Sequence, residues 1–211
     1  MRGAFATGPK NRAMVREFFS HGSNAIVAGM IAALGGAHAT GGLKQKPIPL
    51  ALGVLLFFQS EYTTHRYLLH AKPSTNEFVH KLQRRLHYDH HVDPAKLELL
   101  FLPPWALFPT VAAYIAIYYA LTRNKDAVAS LLMGNLLGLF YYEWVHYVAH
   151  VPFKPKTPYG RWIKKYHLWH HFKNEKLWYG VTNPTADYII GTYVDVADAE
   201  KSGTTKYLYV N

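Results

Sequence analysis

Ten of the thirteen histidines in this 211-residue chain lie in four short clusters, and this pattern limits the possible fold more than any other feature. Sixteen residues separate the first cluster from the second, and sixteen separate the third from the fourth. Imidazole is the commonest metal-binding side chain, so the repeated order predicts a site for two metal ions. The clusters read His65-Arg-Tyr-Leu-Leu-His70, His87-Tyr-Asp-His90-His91, His146-Tyr-Val-Ala-His150 and His167-Leu-Trp-His170-His171.

The spacing inside three of the clusters is typical of an α-helix. Residues at positions i, i+3 and i+4 share a helix face; the second and fourth clusters have this spacing, and the third is an i, i+4 pair. Each of these three clusters is therefore predicted to aim its imidazoles at one point. His65 and His70 are five residues apart, about 140° around an ideal helix, so they either serve different ions or lie on an irregular helix. The remaining histidines, His21, His38 and His80, are predicted to bind no metal.

Four acidic residues are candidates for orienting the imidazoles, because a metal-bound histidine usually donates its other ring N–H to a carboxylate or carbonyl. Glu61 and Glu143 stand four and three residues before a clustered histidine, on the same helix face. An acid beside an apolar span is costly unless it has a partner. Asp89 and Asp187 are weaker candidates. The alternative for Glu61 and Glu143 is a surface acid paired with a nearby lysine.

Long apolar stretches predict an all-α, multi-pass integral membrane protein. They approach the roughly 20 residues that a helix needs to cross a bilayer, and Tyr and Trp near their ends are typical of membrane interfaces. The stretches cover about 24–42, 48–58, 97–121 and 127–142, and the second continues without Gly or Pro through the first histidine cluster. We therefore expect about four transmembrane helices and a histidine-rich helical cap.

The cap is expected on the cytoplasmic face of the membrane. The last two spans form a hairpin between the second and third clusters, which returns the chain to the side it left. The segments 72–85 and 154–176 on that side are basic, and positive loops favour the cytoplasm. The net charge of +10 lies next to apolar runs, which favours anionic lipid headgroups over nucleic acid, since no nucleic-acid recognition motif is present.

The predicted domain organisation has one main part. A basic N-terminal segment covers 1–23, a single membrane-embedded domain with the histidine cap covers 24–200, and a C-terminal tail covers 201–211. The chain has no cysteine, which excludes iron–sulfur clusters and thiolate-ligated haem. Imidazole alone suits zinc, copper, iron and nickel, so the donor set does not identify the metal.

The order of the four clusters resembles the histidine boxes of the fatty acid hydroxylase and sterol desaturase superfamily, over about 50–190. Glu61-Tyr62, Pro103-Pro104 and the stretch from Lys164 to Thr192 are most similar to its fatty acid 2-hydroxylase branch. The resemblance implies a membrane oxygenase with two iron ions, which zinc can replace in purified protein, and O₂ as co-substrate. No catalytic side chain separate from the metal centre is expected. The implied metal ligands are His65, His70, His87, His90, His91, His146, His150, His167, His170 and His171.

The same resemblance implies hydroxylation of the acyl chain of a fatty acid or lipid, with 2-hydroxylation favoured. Many eukaryotic members carry a fused cytochrome b5 domain, whereas only about 45 residues precede the second apolar helix here. The expected electron donor is therefore a separate protein. The other expected partners are the lipid substrate and the membrane, which is either the bacterial inner membrane or the endoplasmic reticulum.

Several other functions stay open at this point. Lipid desaturation, sterol or carotenoid oxidation and aldehyde chemistry occur in the same superfamily and would be separated by product analysis. A membrane metal transporter or metal-binding protein is an alternative of a different class, although transporter ligands are expected near the bilayer midplane. A haem cytochrome with paired histidine ligands would leave most of the ten clustered histidines unexplained.

Overall fold

The computed structural model describes residues 11–208, and these residues form helices and loops without a β-strand. The first ten residues of the predicted N-terminal segment and the last three of the predicted tail lie outside the described part. The α-helices are α1 Asn11–Ser20, α2 Gly22–Ala39, α3 Pro47–Thr64, α4 Glu77–Gln83, α5 Asp89–Val92, α6 Leu97–Leu100, α7 Pro104–Thr122, α8 Lys125–His150, α9 Pro158–Phe172 and α10 Thr185–Ile190. Two π-helical segments, His65–Leu69 and Arg84–Tyr88, precede α4 and α5. The all-α prediction is confirmed for the described residues.

The chain divides into two compact units, each built from separate stretches of sequence. One, which we call the apolar unit, consists of Glu17–Ser60 and Phe101–Glu143. The other, which we call the histidine unit, consists in the described part of the chain of residues 11–16, Glu61–Leu100 and 144–208. All four histidine clusters belong to the histidine unit. The domain boundaries predicted from the sequence stay a prediction.

The apolar unit is held together by a close helix crossing and a buried polar bridge. Gly53 on α3 and Gly134 on α8 lie backbone to backbone, and a Cβ on either residue would collide with main-chain atoms of the other helix. Small residues commonly allow such approaches between membrane helices. At the same crossing the Asn135 amide donates to the Gly53 carbonyl at 2.5 Å and accepts from the Tyr118 hydroxyl at 3.0 Å. The bridge therefore joins α3, α7 and α8 inside an apolar environment.

The described part of the chain contains two helical stretches long and apolar enough to cross a membrane: Leu97–Thr122, which joins α6 and α7, and Lys125–His150, which is α8. A third is possible if the bent pair Arg12–Ser20 and Gly22–Ala39 forms one span. The expectation of about four spans is thus confirmed only as two or three. Helix α3 falls outside this number because its last residues, Gln59 to Thr64, are mostly polar. The cytoplasmic orientation stays a prediction.

In the histidine unit, α9 packs on the C-terminal part of the chain through a small aromatic core. Ile163 and Tyr166 of α9 are buried together with Trp178 and Ala199. Helix α9 begins where Thr157 accepts a hydrogen bond from the Gly160 amide, with proline at the first helical position, a favourable combination for a helix start. This packing fixes the helix that carries the fourth histidine cluster.

Candidate metal centre

The structure brings all ten clustered histidines together in the histidine unit, as two groups of five. Within each group the candidate ligand atoms lie within 4.8 Å of one another. Group A consists of His65, His70, His87, His91 and His170, and group B consists of His90, His146, His150, His167 and His171. Eight of the ten are buried, and His70 and His150 are partly exposed. The convergence predicted from the sequence is therefore present for every clustered histidine.

The distances between ring nitrogens are those expected around a shared cation. In group A the Nε2 atom of His87 lies 3.1 Å from that of His65, 2.9 Å from that of His70 and 3.0 Å from that of His91. In group B the Nε2 atoms of His150 and His167 are 3.0 Å apart. Imidazole binds a metal such as zinc at about 2.0–2.1 Å, so ligands at right angles around one ion would stand about 3.0 Å apart. A tetrahedral arrangement would give about 3.4 Å.

Each His-x-x-His-His cluster is split between the two groups, which differs from the prediction. In the second cluster His87 and His91 belong to group A while His90 belongs to group B. In the fourth cluster the middle histidine, His170, belongs to group A and its neighbours to group B. Helical residues advance by about 100° each, so positions i and i+4 differ by about 40° whereas i+3 lies about 100° from i+4. The pair at i and i+4 thus serves one group and i+3 the other.

A π-helical turn brings His65 and His70 into the same group. In a π-helix each N–H reaches the carbonyl five residues earlier, and the His70 amide donates to the His65 carbonyl at 3.0 Å. Residues five apart then lie on nearly the same face. Of the two possibilities left open by the sequence, the irregular helix is the one observed.

Backbone carbonyls fix the orientation of three imidazoles in group A. The Nδ1–H of His65 donates to the Tyr179 carbonyl, that of His91 to the Thr205 carbonyl at 3.0 Å, and that of His170 to the Leu177 carbonyl at 2.8 Å. Because a carbonyl can only accept, the proton of each neutral ring lies on Nδ1 and the lone pair lies on Nε2. The Nε2 lone pairs of His65 and His91 lie 3.1 and 3.0 Å from Nε2 of His87, and that of His170 lies 3.0 Å from Nε2 of His70. Because the single Nε2 of His87 can donate to at most one neighbour, a cation bound among these nitrogens satisfies them better than hydrogen bonds can.

Burial keeps the imidazoles neutral, which is the form that binds metal. Desolvation lowers the pKa of His65 to about 4. Desolvation, and secondarily repulsion from neighbouring imidazoles, lowers the pKa of six others well below 6.5: His70, His87, His90, His167, His170 and His171. The pKa of His91 falls in the same direction and for the same main reason. All eight rings are therefore ready to act as neutral ligands at pH 7.

In group B the ring nitrogens provide a second indication of a bound cation. Both ring nitrogens of His90 and of His171 are buried without a hydrogen-bond partner among the described residues. Buried polar atoms are nearly always satisfied. An ion bound by one nitrogen of each ring would satisfy that nitrogen, so the residues of both groups fit the metal ions that the histidine pattern predicts.

Glu61 and Asp187 hold the loop that supplies two of the orienting carbonyls. Glu61 accepts hydrogen bonds from the backbone amides of Val181 at 2.7 Å and Thr182 at 2.8 Å, and from the Thr182 hydroxyl. Asp187 accepts from the amides of Tyr179 at 2.9 Å and Gly180 at 2.8 Å. Both acids thus act on the imidazoles through the backbone of this loop. The prediction was that each carboxylate would accept the N–H of an imidazole directly, whereas the carboxylates accept backbone amides of the loop instead.

The other two predicted acids lie elsewhere. Asp89 pairs with Arg84 across 3.0 Å in a partly exposed ion pair. Glu143 belongs to the apolar unit, where it accepts a hydrogen bond from the Leu102 amide at 3.1 Å.

Of the three remaining histidines, His38 contacts the Leu43 carbonyl and His21 packs on Phe101. Neither they nor His80 belong to a group of potential ligands in the described chain.

Sequence reasoning missed the carbonyls of Leu177, Tyr179 and Thr205, because no residue type marks a carbonyl acceptor. The backbone between the first two is unusual. Trp178 has a φ of +58°, which is rare for a bulky side chain. Its amide donates to the Thr192 carbonyl and its indole N–H donates to the Val194 carbonyl. These bonds and complete burial hold the turn that presents the two carbonyls to His170 and His65.

Comparison with known proteins finds similarity over most of the chain. The family model for fatty acid hydroxylase matches residues 50–192. A fatty acid 2-hydroxylase of Rattus norvegicus is 32% identical over 147 residues, which are 68% of this chain and 38% of that protein. The dihydroceramide fatty acyl 2-hydroxylase FAH2 of Arabidopsis thaliana is 33% identical over 152 residues, 72% of this chain and 63% of that one.

A solved structure is also similar. The chain described as full-length scs7p, of which only the hydroxylase domain is visible, matches with a TM-score of 0.72 and 27% identity, covering 84% of this chain and 67% of that one. The Saccharomyces cerevisiae ceramide very long chain fatty acid hydroxylase SCS7 is 34% identical over 146 residues, 68% of this chain and 37% of that protein. The chain thus spans from about a third to about two thirds of the length of these curated relatives.

Proposed function

Because this chain belongs to the fatty acid hydroxylase family, we propose that it hydroxylates the acyl chain of a fatty acid or lipid, with 2-hydroxylation favoured. The observation that carries the proposal is the pair of five-histidine groups, whose ring nitrogens converge in the way two metal ions would require. Two of the relatives are named as 2-hydroxylases, of fatty acids and of dihydroceramide fatty acyl chains, and the third is named as a ceramide very long chain fatty acid hydroxylase. These names favour hydroxylation over desaturation, sterol oxidation or metal transport.

The proposed cofactors are two iron ions, one in each group, and the proposed co-substrate is O₂. Iron is chosen over zinc because the reaction is a redox reaction and zinc has no redox chemistry; zinc would occupy the same nitrogens without supporting turnover. When bound, the two ions would supply the activation of O₂ and the oxidation of an unactivated C–H bond. The electrons would come from a separate protein, and the membrane would present the lipid.

The chain's own residues provide ligands, orientation and a dry environment. The carbonyls of Leu177, Tyr179 and Thr205 hold three rings of group A with Nε2 facing inward. Burial keeps the rings neutral and limits the access of water. Glu61 and Asp187 stabilise the loop that carries two of these carbonyls. A cytoplasmic position for the histidine unit is supported by the basic segments at 72–85 and 154–176.

The proposal is tested by expressing the chain in cells that lack such an activity and profiling their lipids by mass spectrometry. We expect 2-hydroxylated acyl chains that require O₂ and disappear in His90→Ala and His170→Ala, one variant for each group. His80→Ala is the matched control and should retain activity. A double bond in place of the hydroxyl group would identify the reaction as desaturation. Wild-type levels of product in both His90→Ala and His170→Ala would refute the assignment of the two histidine groups as the site of the reaction.

A further inference from the structure

A short C-terminal segment contacts group A from outside the region that matches the family model. We call residues 202–205 the C-terminal strap; the family match ends at residue 192. The Thr205 carbonyl of the strap accepts the Nδ1–H of His91 at 3.0 Å. We propose that the strap is a positioning element of the metal centre, and that the Glu175–Thr204 contact holds it in place. This inference rests on the proposed function in that it requires a metal ion in group A.

The strap is anchored to the tripeptide that follows α9. The Ser202 amide donates to the Lys173 carbonyl at 2.8 Å. The Asn174 side-chain amide donates at 3.2 Å to the carbonyl of Glu200, which lies two residues before the strap. The Thr204 hydroxyl donates to the Glu175 carboxylate at 2.6 Å. Three consecutive residues after the fourth histidine cluster therefore bind three points along the returning chain.

Glu175 is the most buried residue among these anchors, although its partner Thr204 is partly exposed. Glu175 is only 3% exposed, and its other carboxylate oxygen has no hydrogen-bond partner among the described residues. A buried carboxylate is costly without hydrogen bonds, so the bond from Thr204 matters more than a surface contact would. Ser202 adds support, because its hydroxyl accepts from the Thr204 amide at 3.1 Å. The strap is thus fixed immediately before the residue whose carbonyl reaches His91.

His91 is a sensitive place for such a contact. Its Nε2 lies 3.0 Å from that of His87 in group A. Its ring also stacks on the ring of His171 in group B, with centroids 4.2 Å apart. A rotation of the His91 ring would therefore move a ligand atom of group A and the neighbouring surface of group B. Removing a hydrogen-bond partner of a metal-bound histidine typically weakens metal binding about 10- to 100-fold.

The test compares variants that break the anchor with variants that keep it, in the full chain purified in detergent. Glu175→Ala and Thr204→Val remove the hydrogen bond. Glu175→Gln retains an acceptor and Thr204→Ser retains a donor, so both variants should keep wild-type metal binding. Glu200→Gln is the matched control, because it removes a negative charge from an exposed side chain beside the strap. The measurements are Fe(II) bound per chain in anaerobic titrations and the visible absorption of bound Co(II).

We expect wild type, both rescue variants and the control to bind two Fe(II) ions with equal affinity. Glu175→Ala and Thr204→Val should bind one of the two ions about tenfold more weakly and show an altered Co(II) spectrum. Unchanged titrations and spectra in folded Glu175→Ala would overturn the inference, even if its thermal stability fell, because the anchor would then be structural only. If Glu175→Ala does not fold, Thr204→Val decides by the same criteria.

The outcome also separates this inference from the proposed function. A wild-type chain that binds no Fe(II) refutes the proposed function and the strap's role with it. A wild-type chain that binds two ions, together with anchor variants that bind them equally well, overturns the role of the strap alone.

Discussion

The rings of His91 and His171 stack with centroids 4.2 Å apart and planes inclined by 25°. They belong to different five-histidine groups, so this pair is a direct contact between the two candidate metal sites. A substitution of either residue should therefore change metal binding at both sites. A substitution of a histidine that contacts only its own group should change metal binding at one site.

The first prediction concerns metal binding by single variants. His65→Ala should weaken the binding of the ion in group A and leave the other ion bound, because the only histidine rings that His65 contacts belong to group A. His91→Ala should weaken the binding of both ions, since it removes a group A ligand and the stacking partner of His171. Iron content per chain after gel filtration measures the difference. Equal losses in the two variants would contradict the coupling of the sites.

The second prediction concerns Glu61. Glu61→Ala leaves the buried amides of Val181 and Thr182 without their acceptor, and each such loss costs about 1–3 kcal/mol. We expect a clear fall in melting temperature in detergent and weaker iron binding, because the loop that orients His65 is released. Glu61→Gln keeps an oxygen acceptor and should behave much more like wild type.

A different result for that pair would change the assignment. If Glu61→Gln lost iron as completely as Glu61→Ala, the negative charge rather than the hydrogen bonds would be the important property of Glu61.

The third prediction tests the helix crossing in the apolar unit. A Cβ at residue 134 would collide with backbone atoms of Leu50 and Val54, so Gly134→Ala should lower the free energy of unfolding by about 1–3 kcal/mol. Gly29→Ala on α2 is the control, because nothing lies within 4 Å of its added Cβ. That control should be neutral or slightly stabilising. Thermal unfolding in detergent measures both, and equal melting temperatures would refute the close crossing.

The fourth prediction concerns acid sensitivity of the metal-free protein. An unfolded histidine takes up a proton near pH 6.5, whereas folded His65 has a pKa of about 4. Between these values the unfolded state binds more protons, so the free energy of unfolding falls as the pH is lowered through this window. Chemical unfolding of chelator-treated protein at pH 7.5 and 5.5 should show this loss. The pH dependence should be weaker in His65→Gln, and an identical slope would contradict the role given to His65.

The sequence was sufficient to predict which histidines meet but not how they are shared. The repeated clusters and their helical spacing predicted convergence, and all ten residues converge. The assignment of His90 and His170 to the opposite group from their neighbours depends on where other helices approach the cluster, which local spacing does not contain. The π-helical turn at His65 was one of two possibilities because five-residue spacing fits no regular α-helical face.

The acids and the carbonyls show a second limit. Glu61 was predicted to contact an imidazole, since it shares a helix face with His65. The structure places the carboxylate against the amides of Val181 and Thr182 instead, about 120 residues later in the chain. Contacts of this range depend on tertiary packing. Asp89, a weaker candidate from the sequence, pairs with Arg84 in a partly exposed ion pair.

The central claim is that two metal ions are held by group A and group B as described. Anomalous X-ray scattering at the iron edge, on crystals of the iron-loaded protein, tests it most directly. The account predicts two iron peaks, one among the nitrogens of His65, His70, His87, His91 and His170, and one among those of His90, His146, His150, His167 and His171. A single peak, or two peaks with His87, His90 and His91 all bound to the same ion, would contradict it.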